Sequence, residues 1–313
     1  HRTILVDDRH RDELRDLAAE MDVDYLARPE ADNGRTGALN YVLEKTIGEF
    51  LLLLDGDQVP LPDAIHRTIG FFDDPRVAVV QTPLEYQNRD SVLHADHNRH
   101  ERSLTNEVIN PGRDELGAAV WEGPAAMLRR DALLDIGGIP TSGTTGELQA
   151  TVRLQCAGWI TRYHAEVIAY GLAAHDLKAL LHERARWARG HVAICTTRDN
   201  PLWASGLSLK QRMSHVELLS DYFAAVFHLG GLAVLTGSLI TGQLPLNADP
   251  IEFATLFGLW FVLAAAGRVS LGRGRVQFGE SALHSAITFQ IHLVANLTAV
   301  FGVDRRFEAY SGP

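Results

Sequence analysis

Two aspartates that flank a glycine are the residues of this sequence whose spacing most directly suggests chemistry. Asp55 and Asp57 follow the apolar run of residues 50–54, with Gly56 between them. Two carboxylates in this arrangement can share a hard cation such as Mg²⁺ or Mn²⁺ through oxygen ligands. Such a cation can bind a diphosphate and stabilise it as a leaving group. The alternative is a solvated Asp-Gly-Asp turn after a strand, and this stretch by itself favours neither interpretation.

The segments around these aspartates predict an α/β domain. Short apolar runs at residues 3–6, 23–26 and 50–54 alternate with helical spacing at residues 11–21 and 38–46. This β-α-β-α-β order predicts a parallel sheet. Ligands of open α/β sheets bind outside the carboxyl ends of the strands. The carboxylates expected at those ends are Asp7, Asp8, Asp55 and Asp57.

The same alternation continues toward residue 200, after a loop expected at residues 33–37. Hydrophobic periodicity and turn residues define these later elements. They are a helix at residues 63–72, a strand at 77–80, a broken strand at 120–128, a helix at 129–136 and a strand region at 160–170.

Two further helices carry candidate functional side chains. A helix at residues 148–156 is expected to have Thr145 as its N-cap and Glu147 in its first turn, where the helix dipole favours an anion. A predicted helix at residues 177–194 has an apolar face on one side and an arginine-rich face on the other. With Trp187 on it, this helix suits a membrane interface or a phosphate-binding lid.

Composition narrows the class of protein. The 313 residues allow one large or two modest domains, and the formal net charge of −10 argues against a general nucleic-acid binder.

Cys156 and Cys195 lack metal or redox spacing and are expected to be buried thiols. Because the chain opens on His1 and not on methionine, we expect a fragment or a processed product. Three further candidate metal ligands lie on one face of a predicted helix at residues 91–117, and we interpret that face as a solvated surface. They are His94, His97 and His100.

The last third of the chain predicts a membrane region at residues 214–303. Residues 222–241 carry no formal charge and reach the roughly 20 residues that a bilayer span needs, and residues 251–267 predict a second span. Lys and Arg flank the outer ends of this pair and are absent from the connector, so both ends are expected in the cytoplasm. Residues 282–303 contain polar interruptions and predict an interfacial amphipathic helix. The alternative is that all three are buried helices of a soluble protein.

Five short motifs follow one another along the chain. They are Asp7-Asp8, Asp55-Gly56-Asp57, Gln81-Thr82-Pro83, Thr145-Gly146-Glu147 and Glu183-Arg184-Ala185-Arg186-Trp187. This series resembles the processive family 2 glycosyltransferases of the bacterial cellulose synthase type. That family has Asp-Asp, Asp-X-Asp, Gln-Thr-Pro, Thr-Glu-Asp and Gln-X-X-Arg-Trp in the same order. Any one motif is weakly specific, but five in register over nearly the whole chain are strongly so.

The resemblance implies a GT-A (Rossmann-like) α/β domain that transfers a hexose from a UDP-sugar with inversion, using Mg²⁺ or Mn²⁺. It implies that Asp55 and Asp57 hold the metal and the diphosphate, and that Glu147 is the general base on the acceptor hydroxyl. Further nucleotide- or diphosphate-binding residues implied in this way are Asp7, Asp8 and Arg186. The acceptor-binding residues implied are Gln81, Thr82, Pro83, Glu183 and Trp187.

The resemblance also implies a domain order. Residues 1–200 would form the glycosyltransferase domain without its N-terminal part, residues 214–303 the membrane region, and residues 304–313 the start of a gating loop. The expected activity extends a β-linked polysaccharide with glucose from UDP-glucose, at the inner (plasma) membrane, in a multi-pass protein with a cytoplasmic catalytic domain. Expected partners are the UDP-sugar, the glycan acceptor, membrane lipids and accessory export subunits, and not nucleic acid.

Three positions depart from the family pattern. Thr-Glu-Asp is replaced by Thr145-Gly146-Glu147, so a carboxylate remains on a longer stem and its acidic neighbour is lost. Glu183 stands where the family has Gln. The Phe-X-Val-Thr-X-Lys-Gly gating segment is matched only by Phe307, with Tyr310 at the Thr position and Gly312 at the Lys position.

These departures leave other functions open. They include a different sugar or linkage, a non-processive transferase acting on a lipid or short glycan, and a non-catalytic glycosyltransferase-like subunit. An aspartate-nucleophile phosphohydrolase using Asp55 is disfavoured because it gives no role to Trp187 or to the predicted membrane helices.

Overall fold

The computed structural model describes residues 1–29, 34–88, 102–141, 145–243, 249–274 and 278–301. Within these ranges the strands are β1 (Ile4–Asp7), β2 (Asp24–Ala27), β3 (Phe50–Leu53), β4 (Val59–Pro60), β5 (Val77–Gln81), β6 (Glu85–Tyr86), β7 (Ala126–Arg129), β8 (Ile160–Tyr163) and β9 (Ala169–Gly171). The α-helices are α1 (Asp12–Glu20), α2 (Gly34–Lys45), α3 (Ala64–Ile69), α4 (Asn110–Glu115), α5 (Arg130–Asp135), α6 (Gly146–Cys156), α7 (Leu177–Ile194), α8 (Leu209–Thr241), α9 (Pro250–Leu271) and α10 (Phe278–Phe301). The predictions for His94, His97, His100, Phe307, Tyr310 and Gly312 fall outside the described residues.

The central sheet has four strands in the order β3-β7-β5-β8. Strand β7 is antiparallel to both β3 and β5, whereas β5 and β8 are parallel. The predicted parallel pairing is correct for β1 and β2, but β3 lies in this four-stranded sheet, where β3, β5 and β8 run in one direction and β7 lies antiparallel between β3 and β5. Strands β1 and β2 form a separate parallel pair, and β4, β9 and β6 form a small mixed sheet. Periodicity along one strand cannot show this insertion, because it carries no information about which strand is the neighbour.

The core lies around the two central strands. Every residue of β5 and β7 is buried, as expected for strands that are covered on both faces. One face packs on α5 and α6 through a cluster that includes Val79, Leu128 and Leu154. The other face packs Phe72, Val80 and Met127 together. This packing fixes the end of β3, where Asp55 and Asp57 follow.

Helix α8 joins the α/β domain to the apolar part of the chain. It begins at a capping box formed by Ser208 and Gln211. The His215 ring Nε2 lies 2.7 Å from Gln155 Oε1, and Leu219 is buried in a core cluster. The helix that contains the predicted span at residues 222–241 therefore begins at residue 209, and its first turns are docked on the α/β domain.

Beyond this docked part, apolar side chains are exposed. Phe227 is 76% exposed and Leu239 86% exposed, and large apolar residues of α9 such as Trp260 are also exposed. Among the described residues, α8 and α9 are the two helices long and apolar enough to cross a membrane. Helix α10 packs against α7 and α8, with Ala295 buried between them and Asn296 Nδ2 donating to the Tyr222 carbonyl at 2.7 Å.

Both cysteines are free and half-buried at the edge of a core cluster, so the prediction of buried thiols is only partly correct.

Candidate active site

Asp55 and Asp57 stand in a tight turn at the end of β3. The Gln58 backbone N–H donates to the Asp55 carbonyl at 3.0 Å, and the Asp55 N–H donates to Gln58 Oε1 at 3.2 Å. Asp57 Oδ2 accepts from the Leu172 backbone N–H at 3.1 Å, just after β9. These bonds hold the backbone of Asp55 and the carboxylate of Asp57 just beyond the carboxyl end of the strand, where the sequence predicted the two residues.

Arg35 links this turn to the predicted base. Its Nη1 donates to Asp55 Oδ2 at 3.3 Å, its Nη2 lies 3.0 Å from Asp55 Oδ1, and its Nε lies 3.7 Å from Glu147 Oε1. Arg35 was not predicted as a site residue because residues 33–37 were expected to form a loop, whereas α2 begins at Gly34. The only signal in the sequence was a basic residue within the segment that leads into this helix.

Glu147 lies in the first turn of α6, as predicted, and its side chain is 13% exposed. Thr145 occupies the N-cap position but makes no side-chain capping bond, so the predicted capping interaction is wrong. Gly146 is instead the residue that allows α6 to fit. A Cβ at Gly146 would lie 2.4 Å from the Pro140 carbonyl oxygen and 2.4 Å from Thr36 Cγ2.

The charges of α7 extend this group of residues. Burial raises the pKa of Asp55. Among the neighbouring charges, Arg35 and Arg186 oppose this rise and Asp57 adds to it. Burial likewise raises the pKa of Glu183, with Arg102 and Arg186 opposing the rise and Asp57 adding to it. The same two charges, Asp57 and Arg186, thus act on both carboxyl groups. The α7 motif and the Asp55–Asp57 turn are therefore close in space although far apart in sequence.

Helix α7 begins and ends as predicted, at Leu177 and Ile194, with the Asp176 side chain accepting from the Ala179 N–H at 2.7 Å. Its Trp187 is half-buried, and two guanidinium groups lie over the indole ring. The centroid is 4.6 Å from Arg184 Cζ and 5.3 Å from Arg102 Cζ, distances typical of cation–π contacts.

Arg102 in turn forms an ion pair with Glu122. Neither Arg102 nor Glu122 was predicted as a site residue, because no local sequence pattern indicates that Arg102 reaches Trp187.

Gln81 and Thr82 are held by the backbone and not exposed to a ligand. Both are 0% exposed. Gln81 Nε2 donates to the Pro124 carbonyl at 2.9 Å, its Oε1 accepts from the Glu122 N–H at 2.8 Å, and Thr82 Oγ1 donates to the Ala125 carbonyl at 2.7 Å. Pro83 is also buried. The polar side-chain atoms of Gln81 and Thr82 therefore bind the segment before β7. The predicted contact of these three residues with an acceptor stays a prediction.

The aspartates at the end of β1 differ from each other. The Asp7 carboxylate is 0% exposed and accepts from the Arg9 and Arg11 backbone, the Arg11 side chain and Tyr25. Burial would raise the pKa of Asp7, but these hydrogen bonds hold it well below its usual range. The Asp7 carboxylate therefore stabilises the loop after β1, and its predicted nucleotide contact stays a prediction.

Asp8 is 31% exposed and pairs with Arg28 through two contacts of 2.8 Å. Its predicted nucleotide contact stays a prediction.

Among the described residues, no three or more His, Cys, Asp or Glu side chains are grouped closely enough to hold a metal ion. The protein could therefore supply Asp55 and Asp57 as ligands, with the remaining positions left to a ligand or to water.

With this geometry in place, comparison with known proteins identifies the family. Residues 1–190 match the family model described as "Glycosyltransferase like family 2". The chain belongs to this family. The family resemblance predicted from the motifs is thereby confirmed.

Curated relatives include cellulose synthases. The chain is 33% identical over 255 residues to Cellulose synthase 1 of Komagataeibacter xylinus, which covers 80% of this chain and 16% of the relative. It is 31% identical over 281 residues to the UDP-forming cellulose synthase catalytic subunit of Pseudomonas fluorescens (strain SBW25), which covers 88% of this chain and 37% of the relative. The chain thus spans well under half the length of these relatives.

A solved structure confirms the predicted GT-A fold. The mannosyltransferase PcManGT from Pyrobaculum calidifontis, in complex with GDP-Man and Mn²⁺, matches with a TM-score of 0.63 and 18% identity over 97% of this chain and 79% of its own.

Proposed function

We propose that this protein is a membrane-embedded, inverting glycosyltransferase that adds glucose from UDP-glucose to a growing β-linked polysaccharide. One observation carries the proposal. Arg35 joins Asp55, in the turn after β3, to Glu147 of α6, and Arg186 of α7 is near enough to oppose the rise in the pKa of Asp55 that burial causes. The similarity to cellulose synthases supports the choice of polysaccharide.

The residues at the end of β3 fit a divalent cation. Asp57 raises the pKa of Asp55, so the two negative charges repel each other, and a cation would relieve that repulsion. Mg²⁺ is commonly bound by one or two carboxylates together with substrate phosphates and water, which suits a site with two carboxylates. When bound, Mg²⁺ or Mn²⁺ would neutralise charge that develops on the departing diphosphate.

The reaction assigned to these side chains is a single displacement. An acceptor hydroxyl oxygen forms a bond to the anomeric carbon of glucose while the bond from that carbon to the UDP oxygen breaks. Glu147 takes the hydroxyl proton, which makes it the general base. UDP leaves with the electron pair of the broken bond. Arg186 faces the negative charge of the diphosphate, and Trp187 offers an aromatic surface beside the acceptor sugar.

The membrane arrangement is part of the proposal. We infer that α8 and α9 span the inner membrane with both outer ends in the cytoplasm, and that α10 lies at the interface. Because the first turns of α8 pack on the α/β domain, the site would be held close to the bilayer, where the product could enter a channel. Membrane lipids contact these helices, and accessory export subunits receive the product.

The test is UDP release by membranes that contain the protein, measured with a panel of UDP-sugars and Mg²⁺ or Mn²⁺. We expect release to be highest with UDP-glucose and the product to be degraded by a β-glucanase. Glu147→Gln keeps the shape of the side chain and removes the base, so release is expected to fall about 10²- to 10⁴-fold. Glu166→Gln is the matched control, because Glu166 is 58% exposed and pairs with Arg67, outside the site.

Two outcomes would contradict the proposal. Release that is unchanged in Glu147→Gln would remove the base assignment. Absence of release from every UDP-sugar by the wild type would favour a non-catalytic subunit.

A further inference from the structure

Arg35 lies between two carboxylates to which the proposed function gives different tasks. It contacts both oxygens of Asp55, at 3.3 and 3.0 Å, and approaches Glu147 Oε1 at 3.7 Å. One guanidinium therefore neutralises the metal-binding carboxylate and the proton-accepting carboxylate together.

The space for this guanidinium is shaped by glycine backbone. Gly123 has φ of +126°, and a Cβ there would lie 3.5 Å from Arg35 Nη1 and 3.8 Å from its Cζ. These are ordinary van der Waals distances, so Gly123 lines the space that the guanidinium occupies. The next residue, Thr36, packs where only Gly146 leaves room. The start of α2 therefore packs against Gly123 on one side and Gly146 on the other. The Arg35 side chain is 32% exposed.

The guanidinium is also incompletely satisfied. Its Nε and Nη2 are buried and make no hydrogen bond of good geometry to any described residue. These two atoms form the edge that faces Asp55 Oδ1 and Glu147. Buried donors without hydrogen bonds are unfavourable, so this edge is suited to a change of partner.

We propose that Arg35 is an internal counter-ion of the metal site, which a divalent cation displaces from Asp55 and which then remains on Glu147. This inference rests on the proposed function. A hard cation needs the Asp55 oxygens that Arg35 now contacts, and two cations a few ångströms apart repel each other strongly. The contact with Glu147 does not compete with the cation. Arg35 is thus a positioning residue that keeps the base oriented while the metal site fills.

The test measures Mn²⁺ binding to the purified, detergent-solubilised protein, by electron paramagnetic resonance of free Mn²⁺ and without a sugar donor. Arg35→Gln removes the positive charge that competes with the cation for Asp55. A neighbouring charge changes the binding equilibrium of a carboxylate by about one logarithmic unit, so we expect this variant to bind Mn²⁺ about tenfold more tightly. Arg35→Lys keeps the charge and is expected to bind like the wild type.

Arg67→Gln is the matched control. Arg67 also bridges two carboxylates, Asp63 and Glu166, and is 35% exposed, but it lies away from Asp55. Its replacement is expected to leave Mn²⁺ binding unchanged. Misfolding would weaken binding, so tighter binding by Arg35→Gln cannot arise from damage.

The outcomes separate the two proposals. If the wild type binds Mn²⁺ and Arg35→Gln binds it equally or more weakly, the counter-ion proposal is overturned while the proposed function stands. If the wild type binds no Mn²⁺ with or without UDP, the metal assignment falls and the counter-ion proposal falls with it.

Discussion

Replacing Gly146 by alanine tests whether the departure from the family's Thr-Glu-Asp pattern is required by packing. A Cβ at this position would lie 2.4 Å from the Pro140 carbonyl oxygen, 2.4 Å from Thr36 Cγ2 and 3.2 Å from Ile139 Cγ2. The first of these neighbours is backbone and cannot rotate away. Overpacking of this kind costs about 1–3 kcal/mol, and two contacts well inside van der Waals distance argue for the upper part of that range.

Helix propensity opposes this cost. Alanine is favoured over glycine in a helix by up to about 1 kcal/mol, so we expect Gly146→Ala to lower the free energy of unfolding by about 2 kcal/mol. For a domain of this size that corresponds to a drop of about 4–8 °C in the thermal midpoint. Because Glu147 is the next residue, UDP release is expected to fall as well.

The assay is thermal unfolding of the solubilised protein followed by tryptophan fluorescence. Gly112→Ala is the matched control, since Gly112 lies in α4 and a Cβ there meets no atom within 4 Å. It is expected to be neutral or stabilising. An unchanged or raised midpoint for Gly146→Ala would refute the packing argument, and restoring the family's glutamate at this position should then also be tolerated.

Two further predictions concern pH. Because hydrogen bonds hold the pKa of Asp7 below its usual range against the effect of burial, its contribution to stability is present above about pH 4 and is lost as pH falls further. The difference in thermal midpoint between wild type and Asp7→Asn should therefore shrink below about pH 4, and a difference that is independent of pH would contradict this origin. Burial raises the pKa of Glu183; Arg102 and Arg186 oppose this rise and Asp57 adds to it. The protonated fraction of Glu183 therefore grows as pH falls. Glu183→Gln cannot ionise and should remove this contribution from the pH profile of the acceptor KM; an unaltered profile would place Glu183 outside the acceptor site.

Much of the local structure followed from the sequence. The helix at Leu177–Ile194 has its observed bounds because an amphipathic repeat and the Asp176 cap are encoded within the segment itself. The strand before Asp55 was predicted for the same reason, since a short apolar run bounded by turn residues can be recognised without its neighbours. Motif order was sufficient to predict the family and the GT-A fold.

The role of each side chain depended on tertiary packing. Gln81 and Thr82 belong to a motif that suggested acceptor contact, yet their polar atoms bind the chain before β7. Asp7 and Asp8 are neighbours in sequence, but one is enclosed by donors and the other remains partly exposed. No local pattern distinguishes such cases, because hydrogen-bond partners come from distant segments.

The sequence by itself determined the bounds of α7, the strand before Asp55 and the order of the acidic motifs, since residue spacing sets local conformation and the face on which a side chain lies. Only the tertiary structure shows that β7 lies between β3 and β5, that Gly146 is required by packing, and that Arg35 lies between Asp55 and Glu147. These three features arise from contacts between segments far apart in the chain. Such contacts depend on the packing of the whole domain and leave no periodic signal in any one segment.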